Sequence, residues 1–141
     1  MTCIDGSVYK FLGSHPVGHL GTVDPEGQPH VVPICFAATE HRIYSIIDDK
    51  PKRVTGQCLK RLKNISSNPR VCLTVDRYSD DWSRLGFVMI HGMVKIIDSG
   101  QDHMFATSLL RTRYSQYEKM DMSGRLVLVI QPENVITWGS I

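Results

Sequence analysis

The sequence predicts a mainly β protein in which six or seven mostly antiparallel strands form a closed or nearly closed barrel, with helices inserted between them. Three short apolar, β-branched segments follow one another before the first long helix, which argues against an alternating parallel sheet. The sequence also contains no G-x-G-x-x-G or G-x-x-x-x-G-K-[ST] motif of a doubly wound nucleotide-binding fold. A barrel is the favoured alternative because it leaves no exposed strand edges.

The first part of the chain is predicted to hold one short helix and three strands. Val8, Phe11 and Leu12 have the spacing of an amphipathic helix, which Pro16 cannot continue. The turn formers of "DPEGQP" and "ATEHR" then separate three antiparallel strands. We expect these strands at about Val17–Val23, His30–Ala37 and Arg42–Ile47.

The rest of the chain is predicted to add two helices and further strands. The apolar residues of the cationic segment 48–71 recur at intervals of three and four, which indicates a surface helix that ends before Pro69. Two strands follow in "RVCLTVDRY" and "LGFVMIHGMVKIID", and "SDDWSR" between them forms a polar loop. A second helix lies in "SGQDHMFATSLLRTRYSQYEKM". The chain closes as a strand, a proline-containing turn and a short strand in "RLVLVIQPENVITWGSI".

Length and composition indicate one soluble domain. A chain of 141 residues with 42% hydrophobic and 21% charged residues can bury a core without disulfides or a structural metal. No apolar run reaches the roughly 20 residues of a membrane helix, and the first residues lack the pattern of a secretory signal. We therefore expect a single domain over 1–141, in the cytoplasm. The net charge of +2 is too small for a general nucleic-acid binder.

The sequence offers no recognisable catalytic or metal-binding motif. Its six histidines include no H-E-x-x-H pair, and its four cysteines include no C-x-x-C pair. Ser83 lies near Asp80 and Asp81, but it lacks the strand-to-helix elbow of a hydrolase nucleophile. We predict no metal site and no catalytic acid or nucleophile.

The cations of the segment 48–71 fall into two groups. The first group follows a strand at the start of a predicted helix, where side-chain charge and free N–H groups favour a phosphate. It consists of Lys50, Lys52 and Arg53. The second group has the spacing of a solvated helix face and consists of Lys60, Arg61 and Lys63. Simple solvation of the surface is the alternative for all of them, and nucleic-acid binding is disfavoured because aromatic residues are not interleaved.

Four stretches of the chain together resemble a known superfamily. They are "VGHLGTVDPEGQPHVVPICFA", "YSIIDDKPKR", "LKRLKNISSNPRVCLTVDRYSDDWSRL" and "ENVITWG". Over about Phe11 to Gly139 they resemble the pyridoxamine 5′-phosphate oxidase-like split β-barrel proteins. Within that superfamily, "DDKPKR", "NPRV" and "DWSRL" are most similar to the small proteins classed as coenzyme F420-dependent oxidoreductases.

The resemblance implies an FMN-binding type of split β-barrel, a homodimer, and a flavin or deazaflavin held in a cleft between subunits. Coenzyme F420 is the expected cofactor and FMN the alternative. The implied activity is hydride transfer to an electron-poor double bond of a small conjugated substrate, which needs positioning and exclusion of water more than an acid or base. The implied cofactor-binding residues are Lys50, Lys52, Arg53, Ser45, Ile46, Ile47, Pro33 and Trp82.

One segment departs from the pattern of that subgroup. In "GHLGT", two small residues, Gly18 and Gly21, flank His19, where the subgroup commonly has a larger residue or alanine. Smaller residues there would widen the pocket. Since split barrels also serve as carriers, a non-catalytic flavin- or haem-binding protein is a further hypothesis, with His19 or His91 as an axial ligand.

Overall fold

The structure, a computed structural model, describes residues 2–48 and 59–141. Within these ranges the chain forms three α-helices, α1 (Gly6–Ser14), α2 (Lys60–Ser67) and α3 (Gln101–Arg113). The same ranges contain the strands β1 (Val17–Val23), β2 (Pro29–Cys35), β3 (Ala37–Ala38), β4 (Ile43–Ile46), β5 (Arg70–Arg77), β6 (Gly86–Ile97) and β7 (Val127–Gly139). Two single-turn 3-10 helices lie at Trp82–Arg84 and Ser115–Tyr117. None of the helices in the described residues is long and apolar enough to cross a membrane.

The described strands form one antiparallel sheet of seven strands in the order β2-β1-β5-β6-β7-β4-β3. The two end strands of this order, β2 and β3, are consecutive in the chain and are separated only by Phe36. β2 therefore pairs with β1 at one end of the sheet, and the chain then passes through Phe36 to pair with β4 at the other end. This connection curls the sheet on itself. The predicted split β-barrel is confirmed.

Two apolar cores lie on opposite sides of the sheet. The inner core fills the barrel and includes Leu20, Phe36, Leu73 and Ile90, with α1 closing over it through Phe11 and its neighbours. The outer core lies between α3 and the outward side chains of β4 and β7. Because side chains alternate along a strand, successive residues of β4 enter different cores. α3 thus covers only one part of the outer surface of the sheet.

The helix α2 packs on β1. Ile65 is buried in the inner core and Leu62 packs against it. Asn64 is only 1% exposed, and its side-chain amide donates to Thr22 Oγ1 at 3.0 Å. These contacts fix the rotation of α2, and hence which of its cations turn inward.

The predicted boundaries are correct for some elements and wrong for others. β1 spans Val17–Val23, as predicted from the turn formers after it. The predicted turn before the last strand is wrong, because β7 continues through Pro132 to Gly139. Its register against β6 shifts between His91, opposite Asn134, and Gly92, opposite Pro132, so that Glu133 is an extra residue in β7. A bulge tolerates the missing N–H of a proline, so the strand can continue.

Arg113 and Tyr114 hold the chain at Phe36, where the barrel closes. The Arg113 guanidinium donates to the carbonyl oxygens of Phe36 at 2.8 Å, Leu12 at 2.7 Å and His15 at 2.9 Å, and it lies 4.7 Å from the centre of the Phe36 ring. The Tyr114 hydroxyl accepts the Phe36 N–H at 3.0 Å and donates to the Pro16 carbonyl at 2.7 Å. The end of α3 therefore joins α1, the start of β1 and the β2–β3 connection.

We predict that Arg113→Ala lowers the free energy of unfolding by about 3 kcal/mol, because three half-buried carbonyl groups lose a charged donor. Arg113→Lys recovers only part of this loss, since one ammonium cannot reproduce the planar fork of a guanidinium. Urea denaturation measures both effects.

Arg70→Ala is the matched control, because Arg70 makes an exposed ion pair with Glu133 at 3.5 Å. Its loss should change the stability by less than about 0.5 kcal/mol. Equal losses at the two arginines would contradict the role assigned to Arg113.

Candidate active site

The barrel is split next to β4. β3 pairs with β4 only through Ala37 opposite Tyr44 and Ala38 opposite Ile43. Beyond Tyr44, no strand in the described part of the chain pairs with this edge of β4. The Ser45 hydroxyl instead donates to the carbonyl oxygen of Cys35, the last residue of β2, at 2.8 Å. The gap between β2 and β4 is therefore bridged by a side chain rather than by a strand pair.

A cluster of polar side chains lies beside this gap, and we call it the Asp48 cluster. It consists of Cys35, Asp48, Arg61 and Tyr117. The Tyr117 hydroxyl donates to Asp48 Oδ2 at 3.1 Å, and Cys35 and Asp48 both act on the titration of that hydroxyl. The charges of Asp48 and Tyr117 likewise influence the pKa of the Arg61 guanidinium. The end of β4, the helix α2 and the 3-10 turn after α3 thus each contribute one polar group.

Burial dominates the electrostatics of the cluster. It raises the pKa of Tyr117 well above its usual value, and the nearby charges of Asp48 and Cys35 act in the same direction. Burial also lowers the pKa of the Arg61 guanidinium, whereas the charges of Asp48 and Tyr117 oppose that change. The hydroxyl stays protonated and Arg61 stays charged at neutral pH. The cluster therefore presents one buried hydroxyl, one carboxylate and one guanidinium.

Arg61 has a donor that the protein does not use. Its Nε is buried and has no hydrogen-bond acceptor within residues 2–48 and 59–141. The Asn64 Oδ1, one helical turn further along α2, likewise lacks a donor in these ranges. An unpaired buried donor is costly, so a guanidinium in this state is suited to an anionic ligand.

The second feature of the site is an uncovered part of the outer sheet surface, which we call the open face. It is formed by the outward side chains of β1, β2, β5 and the first half of β6. Its central row places Pro33 opposite His19, His19 opposite Thr74 and Thr74 opposite Met89. Val31 on the same side of β2 is 63% exposed. Because Cys35 follows Pro33 by two residues on this side of β2, the open face adjoins the Asp48 cluster.

The structure separates the residues predicted from the resemblance. Ser45, Ile46 and Ile47 are all buried, with Ile46 in the outer core and Ile47 in the inner core. Pro33 is exposed on the open face. Trp82 is 73% exposed and lies in the connection between β5 and β6, at the end of the barrel where β1 begins. The helix α2 contacts the other end of β1, at Thr22.

The predicted phosphate-binding residues lie outside the described residues. They are Lys50, Lys52 and Arg53. Asp48, the last described residue before them, belongs to the Asp48 cluster, and α2 begins soon after them. Their assignment stays a prediction.

The cations of α2 do not behave as one group. Lys60 is exposed and lies 3.5 Å from Asp24 Oδ2 in an ion pair, and Lys63 is exposed. Arg61, which the spacing had placed with them on a solvated face, is half-buried and turned toward Asp48. No sequence pattern predicts that Tyr117 belongs to the site, because Tyr117 is far from Asp48 in the chain and contacts it only in the folded structure.

The glycines beside His19 have different surroundings. A Cβ at Gly18 would lie 2.9 Å from Leu73 Cδ1 and 3.3 Å from Phe36 Cε1, so Gly18 is required by the inner core. Gly21 lies on the open face, where a Cβ would meet only ordinary contacts, the nearest at 3.5 Å from the Cys72 carbonyl oxygen. Gly21 alone can therefore affect the width of a pocket on the open face.

The fold and the site together define a split β-barrel protein with a polar cluster at the split and an open sheet face beside it. The sequence matches the family described as pyridoxamine 5′-phosphate oxidase over residues 4–139. The chain belongs to this family.

Three known proteins are similar to this chain in sequence or in fold. The 5a,11a-dehydrotetracycline/5a,11a-dehydrooxytetracycline reductase of Streptomyces rimosus is 26% identical over 133 residues, which cover 92% of this chain and 78% of the reductase. A structure described as an F420 reductase superimposes with a TM-score of 0.63 at 24% identity, covering 91% of this chain and 95% of the other. The haem storage protein HutZ of Vibrio cholerae superimposes with a TM-score of 0.72 at 12% identity, covering 96% and 94%. The two structural similarities concern the fold alone.

We predict that Tyr117→Phe weakens the dependence of stability on alkaline pH. The pKa of Tyr117 is raised in the folded protein, so above about pH 10 the unfolded chain loses this proton first. The contribution of Tyr117 is complete below that pH and falls as the pH rises, by about 1.4 kcal/mol per pH unit. The variant should lose this part of the slope, as measured by urea denaturation between pH 8 and 11.

Tyr78→Phe is the control for this experiment, because the Tyr78 side chain is 70% exposed. It should leave the alkaline slope as it is in the native protein. An unchanged slope in Tyr117→Phe would show that the hydroxyl does not hold its proton in the way the cluster implies.

Proposed function

We propose that the protein is an oxidoreductase that uses reduced coenzyme F420 to reduce an electron-poor double bond of a small conjugated substrate. The observation that carries this proposal is the half-buried Arg61, which has an unpaired Nε and whose pKa is influenced by the charge of Asp48 at the start of the cationic segment. Asp48 is followed after one residue by Lys50, and then by Lys52 and Arg53. The proposed cofactor site therefore combines Arg61 with these three cations.

The chemistry of these residues fits an anionic cofactor. Coenzyme F420 carries a phosphate, carboxylates and an acidic ring hydroxyl, so a site for it needs several cations close together. A guanidinium donates in a planar fork that matches phosphate oxygens, and partial burial strengthens such a charge-assisted hydrogen bond. FMN carries one phosphate and can use the same donors. The residues favour F420 only by the number of cations.

The open face suits the flat ring of such a cofactor. Pro33 offers an exposed apolar surface next to the Asp48 cluster, and Thr74 and Met89 continue the same neutral surface. A ring against this surface would have its anionic end toward Arg61. A reduced deazaflavin held there would supply a hydride to one carbon of the double bond, and solvent water would supply the proton to the other carbon.

The part of the protein in the reaction is to bind and orient rather than to act as an acid or base. Such sites accelerate hydride transfer by positioning and by excluding water. The relative from Streptomyces rimosus is named as a reductase of 5a,11a-dehydro compounds, which supports a conjugated double bond as the substrate group.

A second copy of the chain is proposed to cover the open face. Val17 is 47% and Val31 63% exposed there, and Pro33 lies on β2, which is an end strand of the sheet formed by the described residues. The central row of this face, Pro33, His19, Thr74 and Met89, contains no lysine, arginine or acidic residue. Charged side chains are likewise depleted at the centre of subunit interfaces. A homodimer through the open face would exclude water from a ring bound against Pro33.

Titration of the purified protein with F420 and with FMN tests the proposed cofactor. We expect micromolar binding of F420, and a loss of about 1.5 to 3 kcal/mol in Arg61→Ala and in Lys52→Ala, because each removes a charge-assisted hydrogen bond. Lys63→Ala is the matched control, since Lys63 lies on the same helix with its charge in water. Isothermal titration calorimetry measures all four proteins.

Three other results would change or contradict the proposal. Binding of FMN without binding of F420 would move the proposal to a flavin enzyme on the same site. Equal losses at Arg61 and Lys63 would contradict the assignment of Arg61. Stoichiometric binding of haem with a Soret band, lost in His19→Ala or His91→Ala, would support a haem carrier instead.

We predict that Val31→Glu converts the native dimer to a monomer at micromolar concentration, because it places a charge in the centre of the proposed interface. Met104→Glu is the matched control, because Met104 is 69% exposed but lies on α3, away from the open face. Analytical ultracentrifugation gives the masses. A native monomer would contradict the proposed dimer, and a dimer that survives Val31→Glu would place the subunit contact elsewhere.

A further inference from the structure

A cysteine, a glutamate and a histidine meet on the surface at the turn between β3 and β4. They are Cys3, Glu40 and His41, and their candidate ligand atoms all lie within 4.8 Å of one another. Glu40 Oε2 and His41 Nε2 are 4.0 Å apart. The three residues lie outside the Asp48 cluster, and the proposed oxidoreductase activity gives them no role.

The backbone on both sides of Cys3 is fixed. The Thr2 hydroxyl donates to the Glu133 carbonyl oxygen in β7 at 2.8 Å. The Ile4 N–H donates to the Glu40 carbonyl oxygen at 2.8 Å, and the Ile4 side chain is 1% exposed in the inner core. Cys3 is therefore held next to the turn by its two neighbours, so that the meeting of the three side chains does not depend on a free chain end.

The turn that carries Glu40 and His41 is also ordered by its own hydrogen bonds. The Thr39 N–H donates to the Arg42 carbonyl oxygen at 2.8 Å. The Thr39 hydroxyl oxygen accepts the N–H groups of His41 at 3.2 Å and Arg42 at 3.0 Å. The three ligand atoms lie within 4.8 Å of one another, so they would have to approach by about 1 to 1.5 Å to share a metal ion. Ligands around a tetrahedral zinc ion lie about 3.3 to 3.8 Å apart, given zinc–ligand distances of 2.0 to 2.3 Å.

We propose that Cys3, Glu40 and His41 form a zinc site with one open position. A thiolate, an imidazole and a carboxylate are ligands that a borderline-soft divalent ion accepts, and harder ions such as Mg²⁺ prefer oxygen ligands alone. The thiolate and the carboxylate together balance the charge of the ion. The exposed position of the side chains leaves the fourth ligand to water.

Binding has a structural consequence in this place. The ion would join the segment before α1 to the β3–β4 turn, two parts of the chain that are separated by 36 residues between Cys3 and Glu40. Because the thiol must lose its proton to bind, zinc binding releases a proton and weakens in acid. A folded-state ligand of this kind raises the unfolding temperature as its concentration increases.

Calorimetric titration of the untagged, metal-free protein with Zn²⁺ in a thiol-free reductant tests the site. We expect one zinc ion per chain, and an affinity at least about tenfold weaker in Cys3→Ser and in His41→Ala, since each removes one of three protein ligands. Titration with Co²⁺ should give a thiolate charge-transfer band that Cys3→Ser abolishes. The unfolding temperature should rise with Zn²⁺ in the native protein and not in Cys3→Ser.

Cys72→Ser and His91→Ala are the matched controls, because Cys72 and His91 are opposite each other on β5 and β6 and form another Cys/His pair. Both controls should bind Zn²⁺ as the native protein does. The proposal is overturned if the native protein binds no stoichiometric zinc, or if the controls lose the ion while Cys3→Ser retains it. Neither result bears on the cofactor titration, since the two sites share no residue.

Discussion

The fold depends on the hydrogen bonds by which Arg113 and Tyr114 hold the backbone of Phe36. At Phe36 one chain segment stops pairing with β1 and starts pairing with β4, so this residue joins the two ends of the sheet. Its N–H and C=O cannot take part in both ladders, and Tyr114 and Arg113 satisfy them instead. Its ring fills the inner core at the same time. Within residues 2–48 and 59–141 the charge of Arg113 is balanced by three carbonyl dipoles and an aromatic face rather than by a carboxylate.

The candidate site follows from this closure. Because the chain leaves β2 at Phe36, β3 is only two residues long, and β4 beyond Tyr44 has no neighbour on that side in the described part of the structure. The outer surface of the sheet is likewise divided into a covered and an uncovered part. The helix α3 begins after β6 and ends at Phe36, so it covers β4 and β7 and leaves the open face uncovered. The gap and the open face meet at Cys35. A barrel closed by a longer β3 would have neither the gap nor the Asp48 cluster.

The sequence predicts the features that depend on local patterns. The alternation of side chains and the turn formers predict both ends of β1 correctly, and the order of strands and helices predicts the barrel. The prediction of a turn within β7 is wrong because a proline normally interrupts a strand. The bulge at Glu133 allows Pro132 to remain within β7 opposite β6. Arg61 was placed in water because helical spacing identifies an apolar side but not the residue at its border. Neither Tyr117 beside Asp48 nor Cys3 beside His41 has a local signal, since each pair is brought together by the fold alone.

The position of Arg61 also argues that the site is built for a ligand. Removing a guanidinium from water is costly, and Asp48 offsets the cost only in part, since the Nε lacks an acceptor in the described ranges. A methionine or leucine at this border position of α2 would pack against Leu62 and Ile65 without that cost. The unpaired donor belongs to a guanidinium that is influenced by the charges of Asp48 and Tyr117, and an anion within reach of the Nε would accept from it. The same charge in water, as on Lys63, could attract an anion but could not orient it, because a flexible exposed ammonium has no fixed direction.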